Sequence, residues 1–282
     1  MKGREKPPFS VNVLQRWIAD AERDGGVAVA RQQRWVSFML LAGMLDSVRD
    51  EDDQPVFILK GGVAMELRLG LAARATKDFD AAFRAEATEI LGRLDQALRA
   101  GYGDFTARRT PPEPVRDTAA LRFDIKLDYR SRPWATVKFE VAPAEGDMGR
   151  EIDRLPAKPL DHLGLVGPVD VPCVAVRWQI AQKLHACTER PRGERANDRF
   201  RDLVDLLLLW DLVAAHQHSA VRHACREIFA LRALHEWPPR VTVFDPWPAQ
   251  YQALAAELNF PVVDVDIAAS KLQEMIDEID AR

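Results

Sequence analysis

Apolar residues recur at three- and four-residue intervals through residues 11–24 and 27–48, and Trp35, Phe38, Met39, Ala42 and Leu45 mark one face of the second stretch. That period predicts two amphipathic helices. An acidic loop, Asp50 to Asp53, ends at Pro55, and Val56-Phe57-Ile58-Leu59 reads as a short buried strand. Gly61-Gly62 turns that strand into a helix carrying Met65, Leu67 and Leu69. After Arg74 the period becomes two: Thr76, Asp78 and Asp80 share one face of a strand, and Lys77, Phe79 and Ala81 share the other. A helix is expected over 86–100, closed by Gly101. Two strands, Leu121–Tyr129 and Trp134–Val141, are joined by the turn-like Ser131-Arg132-Pro133 and predict an antiparallel hairpin. Beyond about residue 172 strand signals nearly vanish, and helices are expected near 174–188, 197–214, 219–235, 247–258 and 267–281.

This order predicts an α+β fold with a mixed β-sheet core, flanking helices and a mainly helical C-terminal half. The expected organisation is N-terminal helices over 1–50 packing on the core, the sheet core over 51–170, and a helical domain over 171–282. With 47% hydrophobic and 29% charged residues in 282, the chain can bury a core, which excludes wholesale disorder. Thirty-nine Lys and Arg against 43 Asp and Glu give a net charge of −4. That argues against coating nucleic acid by bulk positive charge but leaves room for a local basic groove. Cys173, Cys187 and Cys225 form no CxxC, which excludes a disulfide framework and points to a reducing compartment. MKGREKPPFS has no apolar run of a signal peptide, and Leu203 to Val213, interrupted by Asp205 and Asp211, is too short to span a bilayer. A cytoplasmic protein with no membrane partner is expected.

The sharpest chemical feature is Lys60-Gly61-Gly62 followed by Arg74-Ala75-Thr76-Lys77-Asp78-Phe79-Asp80. Paired glycines let a backbone approach phosphate oxygens, with helix N-terminal N–H groups aimed at them. Carboxylates at i and i+2 on a strand lie roughly 6–7 Å apart on one face, which suits divalent cations beside a nucleotide's phosphates. A second DxD, Asp264 and Asp266, has no glycine pair upstream.

With Lys60-Gly61-Gly62, Arg74, Thr76, Asp78 and Asp80, the chain resembles the nucleotidyltransferase superfamily, and within it the AbiEii/AbiGii toxin family, which includes the MenT-type toxins. The resemblance extends to Lys138-Phe139-Glu140, similar to the family's KxD motif with Glu as the acid, to Lys183, and to Arg201-Asp202-Leu203-Val204-Asp205, similar to its K…DxxD element. It implies a nucleotidyltransferase-like sheet core and catalytic residues Asp78, Asp80, Glu140 and Lys183. Asp78, Asp80 and Glu140 would hold Mg2+, with Mn2+ as the alternative, and Gly61, Gly62, Thr76, Lys183, Asp202 and Asp205 would bind the NTP. It further implies the toxin of a toxin–antitoxin pair, with a cognate antitoxin as partner, moving a nucleoside monophosphate from an NTP to an acceptor hydroxyl. The implied acceptor is the tRNA 3′ end. Transfer to an aminoglycoside-type small molecule or a protein hydroxyl, and a non-catalytic nucleotide-binding scaffold, are the alternatives.

Several residues keep two readings. Asp124, Lys126 and Asp128 alternate on their strand as Thr136, Lys138 and Glu140 do on theirs, so the third carboxylate is Glu140 or one of Asp124 and Asp128. Asp198, Asp202 and Asp205 fall on one stripe of the 197–214 helix, and Asp205, among leucines, requires a partner such as Lys183 or an Arg. Lys183 is thus either a triphosphate ligand or half of a structural ion pair. Arg190, Arg192, Arg195, Arg199 and Arg201 are either a solvated charge run or donors to RNA phosphates. Trp35, Trp178 and Trp210 read as core, and Trp237 and Trp247 as anchors for the last helices.

Overall fold

The computed structural model describes residues 4, 6–25, 27–116, 118–190 and 196–281. The N-terminal periodic stretches form α1 (Val11–Gly25) and α2 (Val29–Asp46). Every position of α2 from Trp35 to Leu45 is buried, as befits a helix enclosed by other elements. β1 (Phe57–Lys60) leads directly into α3 (Gly61–Leu69), and β2 (Asp78–Phe83), α4 (Ile90–Ala100), β3 (Phe105–Arg109) and β4 (Glu113–Pro114) follow. Next come β5 (Leu121–Tyr129), β6 (Arg132–Pro143), β7 (Ile152–Pro156) and β8 (Asp170–Val174). The remainder is α5 (Val176–Thr188), α6 (Phe200–Trp210), α7 (His218–Arg232), α8 (Trp247–Leu258) and α9 (Val265–Asp280).

Contacts divide the chain into two units. The first comprises Met1–Gly70, Ala75–Ala144 and Ile152–Val174, and holds every strand named above. Its sheet runs β3-β5-β6-β2-β1-β8-β7, with β4 paired to β5. β2 pairs parallel with β6 and β1 with β8; the other pairs are antiparallel. Phe79, Phe139 and Phe123, on β2, β6 and β5, form a buried row with ring centroids 5.8 and 6.2 Å apart, and Phe38 of α2 meets Phe79 at 5.4 Å. A one-residue slip would turn these rings to the opposite face, so their burial fixes the register.

The second unit comprises Leu71–Arg74, Glu145–Glu151 and Ala175–Arg282. There α5 packs on α6 and α7, and α9 on α6, α7 and α8. Trp178, Leu184, Leu203, Leu206, Ile228, Trp247 and Leu272 are buried in it. Trp247 Nε1 donates to Asn197 O at 2.7 Å, and Trp237 Nε1 to Asp280 Oδ1 at 2.9 Å. Among the described residues, no helix is long and apolar enough to cross a membrane.

The α+β fold is as expected, but several elements differ. Strands β3, β4, β7 and β8 carry weak local signals. Pro156 and Pro172 sit in β7 and β8, where proline ordinarily argues against a strand, and their pairing comes from distant partners. The hairpin turn is Arg130-Ser131, both with positive φ, so Arg132 and Pro133 belong to β6. Two such residues match the right-handed strand twist in a two-residue loop. β2 starts at Asp78, leaving Thr76 outside the strand, and α6 starts at Phe200, leaving Asp198 outside the helix.

Candidate active site

β2 lies between β1 and β6, and register decides what faces the open side of the sheet. Lys60 of β1 lies opposite Asp80, Asp80 opposite Glu140 of β6, and Glu140 opposite Arg122 of β5. The neighbouring row reads Asp78, Lys138, Asp124. The buried aromatic row fixes this arrangement from beneath. Asp78, Asp80, Glu140, Lys138, Arg122 and Phe139 line a cavity of about 260 Å³.

The glycine turn abuts the same cavity wall. Gly61 has φ +60°, and a Cβ built on it would overlap Asp80 Oδ2. Only a glycine permits both that backbone conformation and that approach. A Cβ on Gly62 would overlap the side chain of Thr76. Thr76 is buried; its N–H donates to Glu66 Oε1 at 2.9 Å and its hydroxyl to Asp78 O at 3.1 Å. Thr76 therefore braces the start of β2 against the turn instead of standing on a face beside Asp78 and Asp80. Glu66, itself buried and also 3.3 Å from Arg31, completes that brace. It gave no signal in the sequence beyond a charge on an apolar helix.

Three carboxylates on adjacent strands would repel one another, and two cations share their wall. Arg122 Nη2 donates to Glu140 Oε2 at 2.8 Å. That hydrogen bond, then the charge of Glu140, and more weakly Asp78, raise the Arg122 pKa above its ordinary value. Lys138 is exposed, with no ion-pair partner among the described residues. Asp124 lies one strand farther from Asp80, with Lys126 Nζ at 3.4 Å, and Asp128 pairs with Arg108. Neither lines the cavity. Sequence reasoning missed Arg122, whose place at the site depends on its register with Glu140.

The donor set Asp78, Asp80 and Glu140 consists of hard oxygens, which fits Mg2+ or Mn2+ and not a soft metal. The cysteines are buried, and burial pushes the Cys173 thiol up to about 12 and the other two upward as well. Such thiols are unreactive.

In the second unit Lys183 of α5 sits between two carboxylates of α6. Its Nζ lies 2.6 Å from Asp202 Oδ1 and 2.6 Å from Asp205 Oδ2, and Arg74 Nη2 is 3.3 Å from Asp205 Oδ2. The Lys183 side chain is only 11% exposed and that of Asp205 1%. Burial works against the charge on Lys183, but Asp202 and Asp205 outweigh it and raise its pKa. Burial likewise works against the Asp205 carboxylate, and Lys183 and Arg74 outweigh it and lower the pKa. Asp198 is exposed and not part of this cluster. Arg190 and Arg199 are exposed, and Arg201 lies 4.8 Å over the Phe200 ring. Arg192 and Arg195 lie outside the described residues.

The family model for the nucleotidyl transferase AbiEii toxin, Type IV TA system, matches residues 44–280. No curated protein sequence matches. Among solved structures, MenT4, a nucleotidyltransferase toxin from Mycobacterium tuberculosis, is similar at 16% identity and a TM-score of 0.54, covering 97% of this chain and 99% of its own. An antigenic nucleotidyltransferase-like protein from Paracoccidioides brasiliensis is a looser match: 15% identity, 72% and 89% coverage, TM-score 0.41.

Proposed function

The chain belongs to the AbiEii nucleotidyltransferase toxin family of type IV toxin–antitoxin systems, and from that premise we propose that it transfers a nucleoside monophosphate from an NTP to the 3′ hydroxyl of tRNA. Family membership makes it a nucleotidyltransferase with an NTP substrate and an antitoxin partner. The convergence of Asp78, Asp80 and Glu140 on one cavity beside the Gly61 turn is the observation that carries the reading.

In the proposed reaction the acceptor oxygen forms a bond to the α-phosphorus as the bond to the β-bridging oxygen breaks, and pyrophosphate leaves. The acceptor's proton passes to a carboxylate oxygen, for which Glu140 is the proposed base, and from there to water. Gly61 and Gly62 hold the triphosphate through backbone N–H groups at the start of α3. Asp78, Asp80 and Glu140 would hold Mg2+ or Mn2+, which when bound supplies charge neutralisation to the phosphates. Lys183, Asp202 and Asp205 are proposed to contribute to nucleotide binding as one charged cluster.

The test is transfer from each of four α-labelled NTPs to purified tRNA, to a protein mixture and to an aminoglycoside. Label on tRNA, removed by 3′ exonuclease and abolished by chelation, is expected. Label only on protein or drug would overturn the tRNA assignment.

A further inference from the structure

In the sheet order, β1 and its glycine turn lie on one side of β2, and β6 and β5 on the other. Adjacent strands are about 4.8 Å apart, so the carboxylates form a narrow band with distinct flanks. Among the described residues, the cations lining the cavity are Lys138 on β6 and Arg122 on β5, on the flank away from Gly61. Phosphoryl transfer keeps the attacking and leaving oxygens roughly in line on opposite sides of phosphorus. With the triphosphate on the glycine turn, pyrophosphate departs toward β1. The acceptor must then enter over β6 and β5.

We propose that Arg122 and Lys138 form an acceptor-side clamp that grips the phosphodiester next to the attacking 3′ hydroxyl of a single-stranded RNA end. The inference rests on the transferase reading above and deepens it, because these residues set the class of acceptor. An anionic backbone meets a guanidinium and an ammonium, whereas a polycationic aminoglycoside is repelled by them. Glu140 accepts from one of the five guanidinium N–H donors of Arg122, leaving donors for a phosphate in fork geometry. Farther along the neighbouring strands, Lys126 of β5 lies 3.4 Å from Asp124 and Arg108 of β3 pairs with Asp128. The clamp is therefore short, suited to one or two phosphates and not to a long duplex.

The test uses full-length protein and a labelled single-stranded oligoribonucleotide with a free 3′ hydroxyl. A second oligomer has its last two phosphodiesters replaced by neutral methylphosphonates. Arg122→Gln and Lys138→Gln should each weaken binding of the charged oligomer about tenfold, typical of a lost charge-assisted contact. The logarithmic salt dependence should fall by about 0.7 per lost contact. Neither variant should weaken binding of the neutral oligomer, Lys126→Gln should change nothing, and KM for NTP should stay near wild type. Equal losses on both oligomers, or a raised NTP KM with unchanged RNA affinity, would overturn the clamp and leave the transferase reading standing. Wild-type transfer to a non-RNA acceptor alone would overturn both.

Discussion

Asp80 and Glu140 face each other across the parallel β2–β6 ladder, although sixty positions separate them in the chain. The glycine at position 61 packs on the other side of Asp80. This juxtaposition distinguishes Glu140 from the carboxylates that share its alternation pattern.

If Asp80 and Glu140 serve the reaction, Asp80→Asn and Glu140→Gln should each lower kcat by about 10²–10³, the usual cost of removing one electrostatic contact at a phosphoryl or acyl centre. Asp124→Asn and Asp128→Asn should leave transfer near wild type. Labelled-NTP transfer, paired with thermal melts to verify folding, checks all four. Full activity in Asp80→Asn would sink the site.

Gly61→Ala should cost about 1–2 kcal/mol through its left-handed φ alone. The added methyl also displaces the Asp80 carboxylate, so transfer should fall much further than stability. Denaturant unfolding and initial rates separate the two effects. Equal rates in variant and wild type would contradict the close approach.

For Lys183→Met, the enclosed triad predicts a loss of about 3–5 kcal/mol, because Asp202 and Asp205 are left buried without their ammonium. Adding Asp205→Asn should recover part of that loss in a double-mutant cycle. NTP binding by the double variant, measured where it is folded, then reads any direct role of the ammonium separately from its structural one.

The same cluster fixes a pH window. Asp205 has a lowered folded pKa, so its contribution is intact above about pH 4 and is lost as acid carries the pH down through that lowered value. Lys183 has a raised folded pKa, so its contribution is intact below about pH 10.4 and is lost as the pH rises through that raised value. Lys183→Met combined with Asp205→Asn should flatten both limbs of the stability profile.

The second DxD has a plain explanation. Asp264 caps α9, its Oδ1 accepting from the N–H groups of Asp266 at 2.8 Å and Ile267 at 3.0 Å. Asp264→Ala should therefore cost about 1 kcal/mol of stability and leave transfer intact. Loss of transfer with an unchanged melting temperature would show that this motif had been misassigned.

What the sequence by itself determined were features encoded within a few neighbouring residues. The glycine pair, the alternation through Asp78 and Asp80, the hairpin strands and the helical periods of α5 to α9 depend on local φ/ψ preference and side-chain spacing, which a short window contains. Tertiary structure decided the rest. Local alternation is the same on β5 and β6, so only the interstrand hydrogen-bond register brings Glu140 beside Asp80 and keeps Asp124 and Asp128 away from the cavity. Arg122 joins the site for the same reason. Thr76 reads as a strand residue until Gly62 is seen packed against it, and β8 becomes a strand beside β1 despite Pro172. Lys183 has two credible roles in the sequence, and its position 2.6 Å from both Asp202 and Asp205 follows from the packing of α5 on α6. Register and helix packing are set by contacts between residues far apart in the chain, and no local period carries that information.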